Sequence, residues 1–109
     1  MNINQKGELY NLIPLSGVTV ADVPVADTAV PLAALDSRAT VVVVHVSGGT
    51  IRATIDGSTP TASHGTVWFE GAEIIMNPHT AGLFQAIRKT STSGLLHVTV
   101  CQIGNGVRL

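Results

Sequence analysis

Along the 109-residue chain, apolar residues recur with a period of two, in short runs separated by glycine, proline and small polar residues. This period places alternate side chains on opposite faces of a strand. The strongest run is Ala39-Thr40-Val41-Val42-Val43-Val44-His45-Val46, in which both alternating sets are apolar. Both faces of that strand should therefore be covered, one by the domain core and the other by a second layer or another subunit. Ser47-Gly48-Gly49-Thr50 follows, with chemistry that suits a tight turn. A second strand over Thr50 to Asp56 would make Ala39 to Asp56 an antiparallel hairpin. Further strands are predicted over Val67 to Phe69, Ala72 to Met76, Leu83 to Lys89 and Leu95 to Ile103.

The N-terminal part is less regular. Met1 to Leu12 is polar, with no clean period. Residues 1–14 are read as an arm and 15–109 as one domain. Val18, Val20, Val23 and Val25 are β-branched, and Pro24 among them restricts the segment to a sheet edge or a bulge. Pro31 to Asp36 reads as a loop with one helical turn, too short to be a helix of its own. Asn77-Pro78-His79 reads as a chain break. The expected fold is all-β, a single antiparallel β-sandwich or jelly-roll-like domain of seven or eight short strands.

The sharpest punctuation is the corner between two strands at Asp56-Gly57-Ser58-Thr59-Pro60-Thr61-Ala62-Ser63-His64-Gly65. Asp-Gly is a turn signal because glycine accepts positive φ and aspartate bonds its own backbone two residues on. Pro60 stops the strand. The hydroxyl of Thr61 can satisfy loop amides, and Gly65 permits a second unusual backbone angle. Asp56, Gly57, Pro60, Thr61 and Gly65 are thus expected to be structural.

Composition changes the picture in one respect. Charged residues make up 12% of the chain, against about 25% in typical soluble domains, and the mean hydropathy is +0.38. Much of the surface must be neutral or apolar, the condition under which chains associate. A net charge of −1 gives no footprint for nucleic acid. No apolar run approaches a membrane span, and the first residues do not read as a signal peptide. The single cysteine, Cys101, excludes an internal disulfide.

Candidate chemistry is sparse. His45 and His97 would approach each other if their strands pair, but neither has a local partner at metal-ligand spacing. No nucleophile, phosphate-loop or metalloprotease motif occurs. No catalytic residue, cofactor or metal is expected. Candidate interface residues are Val42 and Val43 on the doubly apolar strand, Trp68, and Arg52 and Arg88, whose guanidinium groups suit bidentate contact with carboxylates. An internal salt bridge from Arg52 to Glu70 or Glu73 is the alternative. Only one of Trp68 and Phe69 can face the core.

Arg52, Thr54, Asp56-Gly57, Pro60-Thr61 and Gly65, followed by Phe84-Gln85-Ala86-Ile87-Arg88 and Leu95 to Val100, form an order that resembles small β-rich virion proteins of tailed bacteriophages. The resemblance covers about Ala39 to Ile103. It implies a capsid decoration (cement) protein or a similar virion accessory. Its partners would be the major capsid protein and copies of itself, as a trimer. It would be made in the host cytoplasm and carried on the capsid surface. A shorter part, Ile55 to Thr61, is similar to a loop in immunoglobulin-like modules appended to glycosidases. It implies a carbohydrate-binding accessory module as the alternative. Such modules usually carry an aromatic residue where this chain has Ala53.

Overall fold

The computed structural model describes residues 12–15, 20–32 and 35–103. They contain β1 (Leu12–Pro14), β2 (Val23–Val25), β3 (Val30–Pro31), β4 (Val41–Ser47), β5 (Ile51–Thr54), β6 (Thr66–Trp68), β7 (Glu73–Met76), α1 (Pro78–Leu83), β8 (Gln85–Arg88) and β9 (Gly94–Ile103). Two antiparallel sheets pack into an all-β sandwich. One runs β1-β9-β4-β7, with β2 also paired to β9; the other runs β3-β8-β5-β6. The strands beyond the expected seven or eight are β1 and β3, two or three residues each, too short to show a period.

The long strand β9 organises the five-stranded sheet. It pairs with β4 from Leu95 to Cys101. Its other edge takes β2 near Gly94–Leu96 and β1 near Cys101–Ile103. Residues 12–14 therefore belong to the sheet, and the domain begins before the expected boundary at residue 15. The arm's remaining residues, 1–11, lie outside the described residues, as do 16–19 and 33–34. Pro24 sits in β2, an edge strand, the kind of position to which proline is confined in a sheet.

Alternation along β4 sorts its two apolar sets. Val42, Val44 and Val46 are fully buried and face the core, while Val41 and Val43 are half-buried and His45 is exposed on the outer side. The core also takes Ile51, Ala53, Ile74, Met76, Leu96, Val98 and Phe84, the largest fully buried side chain.

The expected hairpin between β4 and β5 does not form. Both edges of β4 are occupied, by β7 and β9, so β5 has no edge to join and pairs with β6 and β8 in the other sheet. Ser47 to Thr50 is a crossing between sheets. Its glycines serve close approach: Gly48 has φ +82°, and a Cβ on Gly49 would lie 2.8 Å from the Thr92 carbonyl oxygen.

The sequence also concealed α1. Asn77 accepts the Thr80 N–H on its side-chain oxygen at 2.8 Å, and Pro78 begins the helix. This is an N-cap followed by proline at the first helical position. The expected strand from Leu83 to Lys89 is divided accordingly, since Leu83 ends α1 and Gln85 begins β8. The helix carries the chain from one sheet to the other and delivers Phe84 into the core.

A turn ahead of β4 is held by charge. The Arg38 Nε and Nη2 groups donate to the two Asp36 carboxylate oxygens at 2.9 and 3.0 Å, and the Arg38 backbone N–H donates at 2.8 Å. These bonds hold the Asp36 carboxyl down at about 2, against an ordinary value of 3.8. A depressed folded-state value stabilises above the ordinary value and is lost as pH falls through the folded one. The pair is solvent-screened, so the effect is small. Asp36→Asn should lower the melting temperature slightly at neutral pH and not at all below about pH 2, where the wild-type carboxylate is itself protonated. A melt series across that range checks it.

Candidate functional site

Two regions bear on function, the corner after β5 and the outer face of the five-stranded sheet. In the corner, β5 ends at Thr54, whose hydroxyl donates to the Ser58 carbonyl. Asp56 Oδ1 accepts from the Ser58 N–H at 3.0 Å and from the Ser58 hydroxyl at 2.6 Å. Those bonds, with a smaller contribution from His64, hold the Asp56 carboxyl below its ordinary value. The Ser58 hydroxyl has one proton and gives it to Asp56. His64 Nε2, 3.0 Å from the same oxygen, must then be the donor of that pair. Thr61 and His64 exchange backbone bonds at 3.0 and 3.3 Å, and Pro60 beside them is fully buried. Arg52 Nη1 donates to the Gly65 carbonyl at 2.9 Å, and Gln85 Nε2 donates to that of Gly57 at 3.4 Å.

Asp56, Gly57, Pro60, Thr61 and Gly65 thus each have a backbone task. Gly57 has φ +88°, with only the Leu83 side chain, 3.6 Å away, near a built Cβ. The strain of a substitution there is conformational, not steric. Gly57→Val should cost about 1 kcal/mol or more, read as a lowered midpoint in denaturant.

On the outer face, cross-strand register sets residues in rows. Ile75, Val43 and Thr99 form one row across β7, β4 and β9, and Glu73, His45 and His97 form the next. Ile75 is 59% exposed. The His45 and His97 rings lie 6.1 Å apart between centroids, as expected once their strands pair. His97 Nδ1 lies 3.0 Å from Asp22 Oδ1, and its Nε2 lies 3.1 Å from Ser47 Oγ.

Asp22, His97 and Ser47 therefore stand in the order of a nucleophile relay. The rest of such a site is differently committed. The Ser47 hydroxyl also lies within 3.4 Å of the Leu95 carbonyl, towards β9. The N–H of the following residue, Gly48, donates at 3.3 Å to Glu70 in the turn before β7. An oxyanion needs donors converging on the attacked carbonyl, and this amide is spent on Glu70. These contacts link Asp22, the residue before β2, to His97 in β9 and Ser47 in β4. No sequence motif announces them, because residues 22, 47 and 97 meet only through strand pairing. Among the described residues no group of three histidine, cysteine, aspartate or glutamate side chains could hold a metal ion.

The candidate interface residues are sorted by the same geometry. Val42 faces the core, so of the valine pair only Val43 can meet another molecule. Trp68 packs against the core, and its neighbour Phe69 is 69% exposed. Arg52 holds its own loop through Gly65, and the ion pairs found among the described residues are Arg38–Asp36 and His97–Asp22, so neither Glu70 nor Glu73 is its partner. Arg88 reaches Ser93 Oγ at 3.4 Å. Cys101 is buried, which pushes its thiol up. Ile75 was missed: in Glu73-Ile74-Ile75-Met76 both isoleucines look equally apolar, and the parity set by Glu73 was the available signal.

A scan against protein-family models, a search of curated proteins and a search of solved structures each gave no match to this chain.

Proposed function

We propose that the protein is a structural component of a phage particle, most specifically a capsid decoration protein that assembles as a homotrimer and bridges capsid subunits. The observation that carries the assembling part is the outer row Ile75–Val43–Thr99, an uncharged strip with an exposed isoleucine on β7, the edge strand of the larger sheet. Phe69 and Ile13 add exposed apolar surface elsewhere. A chain with so few charges gains from covering such surface with protein. The trimer and the capsid come from the sequence resemblance.

The role is passive. Copies bound to the assembled shell and not to free subunits favour the shell by mass action. The relay at Ser47 is read as a structural tie, and no catalytic step is assigned to it. The test is binding to shells assembled from the capsid protein encoded near its gene. Sedimentation with the shells at a fixed ratio and a raised shell melting temperature are expected. A protein left in the supernatant, or flanking genes that include no capsid protein, would count against the virion role.

A further inference from the structure

An open cleft of about 330 Å³ lies where the end of β5 meets the edge strand β6. Trp68 pairs with Ile51 and Thr66 with Ala53. Those partners are buried and face inward, so Trp68 and Thr66 point the same way, toward the inner side of their sheet. The half-buried indole packs partly on the core and partly lines the cleft. Asp56 and His64 of the corner also line it.

These groups have capacity to spare. Asp56 spends Oδ1 on the two Ser58 donors, leaving Oδ2, and its carboxyl is held ionised. His64 spends Nε2 on Ser58, which leaves Nδ1 for a second hydrogen bond. Thr66 adds an exposed hydroxyl. An aromatic surface with a few convergent polar groups is the general form of a small-molecule site.

We infer that this cleft binds a neutral sugar ring, with Trp68 covering its C–H face and Asp56, His64 and Thr66 taking its hydroxyls. An anion would meet the Asp56 carboxylate. A wholly apolar ligand would strip water from that carboxylate without replacing its hydrogen bonds. A ring bearing adjacent hydroxyls on one edge and C–H groups on one face satisfies both sides. The inference goes beyond the assembly proposal and does not depend on it.

Trp68 is the chain's only tryptophan, so its emission reports on the cleft directly. The free protein is titrated with cellotetraose, maltotetraose and chitotetraose, which share the ring face and polar edge the site would read. A saturable change in emission at millimolar concentration is expected for at least one. Asp56→Asn and Thr66→Val should each weaken it about tenfold, with the circular dichroism unchanged. Thr66→Val, at an exposed strand position, remains informative if Asp56→Asn perturbs the corner. Two results would overturn the inference: equal affinity in Thr66→Val, or no saturable change with any of the three sugars, including a response only to choline, a cation that could stack on the indole.

Discussion

Val42→Lys is expected to abolish folding, whereas Val43→Lys, one residue along the same strand, is expected to fold. Val42 is fully buried and lies in register between Met76 and Val100, both themselves buried. An ammonium there has no carboxylate to meet and no route to water. Burying it unpaired costs several kcal/mol, a large share of the roughly 5–15 kcal/mol that holds a domain of this kind together. Val43 faces outward between Ile75 and Thr99. A lysine there can run its stem over Ile75 and leave its charged end in water. Circular dichroism separates the two: loss of the β signal for the first and a retained β signal with a cooperative melt for the second. Two variants behaving alike would mean that the sides of β4 are assigned wrongly.

Phe84→Ala should remove about 3–5 kcal/mol of stability, the usual range for deleting a buried aromatic ring. Phe84 is fully buried and stands at the junction of α1 and β8. Its backbone is fixed by α1, whose last turn receives the Phe84 N–H at the Ala81 carbonyl, 3.3 Å away, and by the start of β8. The surrounding side chains cannot collapse fully into the space without moving the link between the sheets. Urea denaturation measures the loss. A change below about 1 kcal/mol, outside that range, would show that the ring contributes little to the core.

The sequence carried the strands that lie in apolar runs bounded by turn residues, the three-residue β6 included, and in the longer ones a period of two can be counted. It also carried the corner, where Asp56-Gly57 and Pro60 leave the backbone few choices. Other features depended on partners distant in sequence. Gly48-Gly49 has the same chemistry in a hairpin and in a crossing between sheets, and the choice rests on whether β4 has a free edge. The sides of β4 were legible in part, since His45 and Ser47 share a parity with Val43 and mark that set as outward. The helix was not read: Asn77-Pro78 has the same chemistry in a chain break and at a helix start, and six residues are too few to repeat an apolar period. The Asp22–His97–Ser47 contact and the Trp68 cleft arise from register, which no single stretch of the chain encodes.

The central claim is that the outer face of the five-stranded sheet is covered by another copy of the chain. Light scattering on the eluting peak of a size-exclusion column, for the wild type and for Val43→Lys, tests it most directly. The wild type should run at three times the 11.3 kDa of one chain, and the folded variant should run at a lower mass. A wild type that stays at 11.3 kDa at every concentration, or a Val43→Lys variant that keeps the wild-type oligomer mass, would contradict the claim.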